Sequence, residues 1–249
     1  MQQMGRLEMQ TPATKKLLEP VEALEKKNFT PEHVSRCLAL GADPNVKART
    51  GVSALQYACL MCDPEVLKLL LQAGGDPNAI DDYGRSPLAC ACEVGAVTSF
   101  EQAQCVRLLA SHGADVNWFK DNHERATVLH IACENAGVEA VRALLELGAD
   151  PVAKNAEGRT PLSRAMNRRD TLEPAIALLE ARGIGPNDAI PGFGKKTIAD
   201  FYRPFTSLAN EIDRWHDRAK SKLLAGEIEG AFAQGEGGGA AMKPKGMSL

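Results

Sequence analysis

The chain has 249 residues, a formal net charge of −3, and 44% hydrophobic and 24% charged residues. This composition is typical of a globular protein, and the mixed charge argues against bulk binding to nucleic acid or to an anionic membrane surface. The sequence has no run of about 18 apolar residues that could span a membrane. Residues 1–20 carry acids and lack an apolar stretch, so we expect no secretory signal there.

Two motifs recur four times along the chain, in phase with each other. The first, Gly-Ala-Asp-Pro-Asn and its variants, stands at 41–45, 74–78, 113–117 and 148–151. The second, Ser or Thr followed by x-Leu-x-x-Ala, stands at 53–58, 86–91, 127–132 and 160–165. Recurrence at this spacing indicates a stack of similar supersecondary units.

The residues of both motifs suit the ends of helices. Ser or Thr can cap a first helix, and a following proline, as in Ser86-Pro87, costs no helical hydrogen bond. The glycine that opens the other motif, such as Gly41, stands where a helix ends in a left-handed residue. Between the motifs a second helix carries apolar residues at helical spacing, such as Val66 and Leu70. The sequence therefore predicts two helices in each repeat.

This pattern resembles the ankyrin repeat, which has a period of about 33 residues and a Thr-Pro-Leu-His-x-Ala signature. The resemblance implies an all-α solenoid of stacked helix–turn–helix units joined by β-hairpin-like fingers, in which stacking builds the core. We expect an ankyrin domain over 21–184, with a half-repeat cap at 21–46 and full repeats at 47–79, 80–118, 119–151 and 152–184.

Two repeats depart from the pattern. The repeat at 80–118 has about six extra residues around Gly95–Gln102, between its helices, and Ser99-x-x-Gln102 there suggests a capping box. The repeat at 119–151 has a finger that is longer by about two residues, Phe119–Arg125, and lacks the usual glycine before Thr127.

Three segments lie outside the repeats: an N-terminal extension (1–20), a C-terminal extension (185–232) and a Gly-rich flexible tail (233–249). Apolar residues at helical spacing from Phe205 to Leu223 predict an amphipathic helix over about 205–225. This helix either covers the open end of the repeat stack or is offered to a partner. Order in the tail would favour a fixed place in an assembly over a free adaptor.

The chain contains seven cysteines. Cys59, Cys92 and Cys133 follow the signature alanine in three repeats, where cysteine acts as a small apolar residue, so we expect reduced and mostly buried thiols. This pattern suits a cytoplasmic or other reducing intracellular compartment, with cytoskeletal association left open, rather than a secreted protein. His130 is the signature histidine, expected to bond neighbouring backbone. Since no catalytic, phosphate-binding or metal-ligand motif is recognised, we expect no enzyme, no cofactor, no metal and no small-molecule substrate.

In ankyrin proteins the fingers and inner helices form a concave groove that binds partners. We predict contact with one or more proteins through matching positions here, with the aromatic residues most important because such residues dominate interface energies. The predicted partner-binding residues are Tyr83, Arg85, Trp118, Phe119, His123, Glu134, Asn135, Arg159 and Arg168. Alternatively, Trp118 or Phe119 covers the neighbouring repeat. The insertion at Gly95–Gln102 or the C-terminal helix would extend the contact.

Charge along this groove is mixed, with acids toward the middle and arginines at the C-terminal end, Arg159, Arg164, Arg168 and Arg169. That end could receive an acidic segment or could be a solvated cap. Asn117 is a candidate modification site. Leu109 is followed, after five residues, by Asp115-Val116-Asn117, and this spacing is similar to the site that asparagine hydroxylases recognise in ankyrin fingers. The same residues are also needed to build the finger.

The sequence therefore favours a non-enzymatic protein–protein interaction module that acts as an adaptor or scaffold through the groove. Two alternatives remain open. The chain could be a structural subunit of a large assembly, for example a cytoskeletal or axonemal one, held by its terminal extensions. It could also be a regulatory subunit that controls an enzyme by occluding it.

Overall fold

The computed structural model describes residues 11–94, 99–120, 124–167, 173–185, 188–190, 196–197, 200 and 211–222. The chain divides into two units, 1–183 and 184–249. The described helices of the first unit are α1 Pro12–Glu22, α2 Pro31–Ala39, α3 Ala54–Met61, α4 Pro64–Gln72, α5 Pro87–Glu93, α6 Ser99–Ser111, α7 Val128–Asn135, α8 Val138–Glu146, α9 Pro161–Ala165 and α10 Glu173–Ala181. A short 3₁₀ turn, Lys26–Asn28, lies between α1 and α2.

The helices of the first unit form pairs that stack in chain order. The inner helices are α1, α3, α5, α7 and α9, and each contacts the next inner helix along the stack. The outer helices, α2, α4, α6, α8 and α10, follow the same rule. Their leucine, valine, alanine and cysteine side chains are buried between the pairs. The predicted all-α solenoid is therefore confirmed.

The fingers that join the repeats have hairpin-like pairing. Two of them close through isolated antiparallel bridges, Lys47 with Ser53 and Phe119 with Thr127. The finger around Asp81 makes the same backbone bond, Asp81 N–H to the Arg85 carbonyl at 3.0 Å, as the first finger does from Ala48 to Val52. In addition, the buried Asp81 carboxylate accepts hydrogen bonds from the backbone N–H groups of Tyr83 and Arg85 at 3.0 and 2.7 Å. Caps fix where the inner helices start: Ser53, for example, accepts from the Gln56 N–H at the start of α3.

The first helical pair is not shortened, in contrast to the expected half-repeat. Helix α1 has 11 residues and runs across the expected boundary between residues 20 and 21. Thr11 caps it by accepting from the Thr14 N–H, and Leu17, Leu18 and Val21 are buried. The repeat pattern did not predict this helix, because no finger motif precedes it and because Pro20 lies inside it. A proline near a helix end interrupts less of the hydrogen-bond ladder than one at its centre.

The Ser99 side chain lies outside the part of the chain that the structure describes, so the predicted Ser99–Gln102 capping box stays a prediction. The buried Gln102 Nε2 donates to the carbonyl of Val94 at 2.6 Å, at the end of α5. Its Oε1 accepts from the Gly137 N–H at 3.0 Å, at the start of α8 in the next repeat. Gln102 therefore ties the two helices of its own repeat to the following one.

Asparagines at the third residue of Asp-Pro-Asn form a ladder between successive fingers. Asn78 Nδ2 donates to the Gly113 carbonyl at 2.8 Å, and Asn78 Oδ1 accepts from the Asp115 N–H at 2.9 Å. Asn45 and Asn117 make the same two bonds one repeat earlier and one repeat later. Each asparagine thus holds the end of the next outer helix in register.

Removing one rung tests this role. Asn78→Ala should lower the free energy of unfolding by about 1–2 kcal/mol, since two hydrogen bonds of about 1 kcal/mol each are lost. The matched control is Val152→Ala, because Val152 holds the asparagine position in the last copy of the motif and is 48% exposed. Urea denaturation would measure both, and equal effects of the two substitutions would show that the asparagine bonds contribute nothing.

Gln56 and His130 occupy the same position of the signature and bond in the same way. Gln56 Oε1 accepts from the Ser53 N–H at 3.0 Å, and Gln56 Nε2 donates to the carbonyl of Arg85 in the next finger at 3.0 Å. His130 Nδ1 accepts from the Thr127 N–H at 3.2 Å, so the proton of the neutral ring sits on Nε2. Nε2 donates to the Arg159 carbonyl at 2.9 Å, as predicted for the signature histidine.

This geometry makes stability depend on the charge of His130. Burial lowers the pKa of His130 from its ordinary value of 6.5, and the bond to the Arg159 carbonyl opposes that shift in part. The unfolded chain therefore takes up the proton first as pH falls. The stabilisation from the neutral ring is complete above pH 6.5 and is lost as pH falls toward the lowered pKa.

His130→Gln should keep the protein folded and reduce the loss of stability between pH 7 and pH 5. The glutamine amide reproduces both hydrogen bonds, as Gln56 does, and does not titrate. Free energies of unfolding of the two proteins, measured across this range, give the check. A difference between them that does not change with pH would contradict the assignment.

In the second unit the structure describes helical residues 211–222. Ile212 and Trp215, which belong to the predicted apolar stripe, are 8% and 1% exposed. Phe205, Leu208 and Leu223 and the tail at 233–249 lie outside the described residues, and so does most of the predicted start of the helix. Among the described helices, none combines the length and the apolar character needed to cross a membrane.

Candidate protein-binding surface

Tyr83 is the most exposed aromatic residue in the described fingers, with 61% of its surface accessible. The guanidinium of Arg85 lies over its ring, 5.0 Å from the centroid. Arg85 itself is held in the repeat, because Nε pairs with the buried Asp81 at 2.7 Å and Nη1 pairs with Glu93 at 2.9 Å. Of these two predicted contact residues, Tyr83 is thus presented outward, whereas Arg85 is engaged within the chain and positions the ring.

Phe119 lies in the next finger along the chain and is 39% exposed. The Arg125 guanidinium lies 4.6 Å from its ring centroid, so this exposed aromatic also has a cation over one face. Trp118 is partly buried, and its backbone bonds to Asp115 and Val128 fix the start of the finger. Phe119 therefore presents more surface to a partner than Trp118 does.

Arg125 takes the position that glycine holds in the other fingers, and its backbone has φ +50°. The corresponding glycines, Gly51, Gly84 and Gly158, have φ of +78°, +70° and +73°. A residue with a Cβ atom is disfavoured in this left-handed region by roughly 1–2 kcal/mol. The glycine missing before Thr127 in the sequence therefore corresponds to a strained arginine next to an exposed aromatic ring.

Of the four arginines predicted at the C-terminal end of the groove, Arg168 and Arg169 lie outside the described residues, and the other two form ion pairs. Arg164 is 13% exposed and forms ion pairs with Glu124 and Glu134. Arg159 is 58% exposed and pairs with Glu157 at 3.1 Å. The acids and arginines that we predicted as separate regions of the groove thus neutralise each other in part, which weakens the case for an acidic ligand there.

The remaining predicted contact residues are either partly buried or outside the described residues. Asn135, at the end of α7, is partly buried and donates from Nδ2 to the Ile131 carbonyl at 3.2 Å. His123, Arg168 and the insertion residues 95–98 lie outside the described residues. Asn117 is exposed and makes the two bonds of the ladder, and its modification stays a prediction.

A small pocket that the sequence did not point to lies at the N-terminal end of the groove. Leu24, Val52, Leu60, Tyr57 and Tyr83 are among the residues that line its volume of about 270 Å³. Leu24 is 71% exposed, and the Tyr57 hydroxyl is buried without a hydrogen-bond partner among the described residues. Tyr57 resembles an ordinary core residue in the sequence, and Leu24 lies outside every repeated motif, so no sequence signal distinguished them.

Comparison with known families identifies the repeats. The family model described as "Ankyrin repeats (3 copies)" matches residues 21–118 and 96–189, which together make up more than half of the chain. The chain belongs to the ankyrin-repeat family. Ankyrin repeats indicate a protein–protein interaction module.

The relatives of this ankyrin-repeat protein have mixed functions. It is 32% identical to the mitochondrial disaggregase of Bos taurus over 54% of this chain and 19% of that protein. It is 40% identical to the transient receptor potential channel pyrexia of Drosophila melanogaster over 50% and 12%, respectively. It is 30% identical to the B-cell lymphoma 3 protein homolog of Mus musculus over 52% of this chain and 28% of that protein. The chain thus spans less than a third of each of these relatives.

The seven cysteines are free and buried, as predicted. Burial raises the pKa of Cys90 to about 12 and raises the pKa values of Cys59, Cys92 and Cys105. The reactive thiolate is therefore scarce near neutral pH. Among the described residues, no group of three or more His, Cys, Asp or Glu side chains is arranged to hold a metal ion.

These thiols should react with a thiol reagent only when the stack opens. In the folded protein at pH 8 we expect slow modification, with all seven cysteines reacting rapidly once guanidinium unfolds the chain. Absorbance assays of thiol release, with the denatured protein as the control, measure the two rates. Rapid reaction of four or more cysteines without denaturant would contradict the buried arrangement.

Proposed function

We propose that this protein is a non-enzymatic adaptor or scaffold that binds a protein partner through the groove, with Tyr83 and Phe119 as principal contacts. Both are exposed, and both have an arginine over one ring face. An aromatic ring held in place by a neighbour loses little side-chain freedom when a partner covers it. We also propose a reducing intracellular compartment, which the seven free thiols support.

The conformation of Arg125 is the observation that carries this proposal. Three sister fingers use glycine at this position, whereas this finger accepts backbone strain and places a guanidinium on Phe119. Strained residues persist where the surroundings require them, and they are concentrated at functional sites. A finger that served the fold alone would be more stable with glycine there.

Phe119→Ala and Tyr83→Ala should each weaken partner binding about tenfold or more, because exposed anchors of this kind typically contribute about 2 kcal/mol or more. The thermal midpoint should change little, since neither side chain belongs to the buried core: Tyr83 is 61% and Phe119 39% exposed in the free protein. Partners are recovered from the native cell by affinity purification with cross-linking mass spectrometry. Titration calorimetry with a recovered partner then gives the affinities.

Leu147→Ala is the matched control, because Leu147 is 38% exposed but lies at the end of outer helix α8. Its affinity should equal that of the wild type. Arg125→Gly extends the test: stability should stay equal or rise by up to about 1 kcal/mol, while affinity falls. The proposal fails if the recovered partners bind all of these variants equally well, or if their cross-links lie outside the fingers and inner helices.

A further inference from the structure

The pocket at the N-terminal end of the groove has the size and lining of a side-chain site. Its volume of about 270 Å³ lies just below the roughly 300–1,000 Å³ of typical small-molecule sites. Its walls include Val21, Val52 and Leu60, and exposed Leu24 and Tyr83 belong to the same lining. Such a cavity suits one large apolar side chain better than a whole cofactor or metabolite.

One polar atom in this apolar wall has no partner. The Tyr57 side chain is 2% exposed, its ring contacts Phe29 edge to face at 5.1 Å, and its hydroxyl makes no hydrogen bond among the described residues. Burial raises the pKa of Tyr57, with Glu25 adding to the effect, so the hydroxyl keeps its proton and stays a donor. A buried donor without an acceptor costs about 1–3 kcal/mol, and an acceptor supplied from outside would recover part of that.

Leu24 shows which part of the pocket can move. It lies just after α1, is 71% exposed and has φ +54°, which is unfavourable for leucine. An exposed side chain on a strained turn loses little packing when it shifts. Its movement would therefore cost little packing and would widen the entrance to the pocket.

Several charges next to the pocket are paired, whereas Glu25, whose charge acts on Tyr57, accepts from the side-chain amide of Asn28. Arg49 lies 3.9 Å from Glu22, and Lys47 lies 3.5 Å from Asp82. Arg85, which lines the pocket, is held by Asp81 and Glu93. A charged occupant would have to compete with these pairs, whereas an uncharged one would leave them in place.

We propose that this pocket receives one leucine, methionine or phenylalanine side chain from an uncharged, extended segment of a protein partner, with a carbonyl of that segment accepting from the Tyr57 hydroxyl. The inference rests on the proposed function and names the kind of segment that the groove binds. Leu24 closes over the inserted side chain, and Tyr83 connects this pocket to the exposed fingers.

A phage-displayed library of linear peptides, selected on the full chain, provides the probe. Selected peptides should share one large apolar residue in an uncharged context, and alanine at that residue should abolish binding. Tyr57→Phe should lower their affinity roughly fivefold, the value of one hydrogen bond of about 1 kcal/mol, while leaving the thermal midpoint unchanged or higher. If Tyr57→Phe binds the peptides more weakly but is as stable as the wild type or more so, the hydroxyl serves binding; a structural hydroxyl would instead lower stability when it is removed.

Leu24→Asn and its control Leu40→Asn complete the experiment. Asparagine tolerates φ above zero, so Leu24→Asn should fold at least as well as the wild type and lower peptide affinity about tenfold. Leu40 is 66% exposed beyond the end of α2 and does not line the pocket, so Leu40→Asn should bind normally.

Three outcomes would overturn the inference. They are full affinity in Tyr57→Phe, full affinity in Leu24→Asn, and a selection that yields only charged peptides or none. If recovered partners still depend on Phe119 in any of these cases, the proposed function survives and only the pocket assignment fails. If partner binding depends neither on Phe119 nor on the pocket residues, both the proposed function and the pocket assignment fail. Self-association of the chain that Leu24→Asn abolishes would also count against a separate partner.

Discussion

Each helical pair in this protein leaves an apolar face that only the next pair can cover, so stability depends on contacts between neighbouring repeats. The polar groups at these boundaries must be satisfied as well, because the backbone N–H and C=O groups of the fingers need hydrogen-bond partners. Asn45, Asn78 and Asn117 supply them on one side of the stack, and Gln56 and His130 supply them beside the inner helices. At the N-terminal end, where no asparagine is available, Thr14 Oγ1 accepts from the Asp43 N–H at 3.0 Å.

Because these bonds hold the repeat frame, residues on the outside of the fingers are not needed for folding and can be used for recognition. Tyr83 and Phe119 occupy such positions, and each is oriented by an arginine from its own finger. The two arginines differ in an instructive way. Arg85 is anchored by buried Asp81, whereas Arg125 reaches its ring from a left-handed backbone. The second arrangement sacrifices local stability, which is acceptable at a surface that gains free energy when a partner binds.

The pocket and the aromatic fingers would divide recognition between them. The fingers would offer exposed rings, while a pocket of about 270 Å³ would admit one side chain of limited size. Some charges around these regions are paired, such as Arg164 with Glu134 and Lys47 with Asp82. Selectivity would then come from shape and from the Tyr57 hydroxyl more than from charge, since exposed ion pairs contribute little.

The sequence by itself determined the repeat, because the motif residues act locally: Ser53 caps a helix, and Gly41 ends one, in whatever fold surrounds them. It also placed the fingers and, with them, Tyr83 and Phe119. Only the tertiary structure decided which side chains are engaged in contacts within the chain and which remain available to a partner. Gln102 bonds to the next repeat, and Arg164 suggests a groove cation in the sequence but pairs with acids about 30 residues away or more. The pocket beside Leu24 also depends on long-range packing. Such contacts join residues whose separation along the chain varies with every insertion, so no local pattern encodes them.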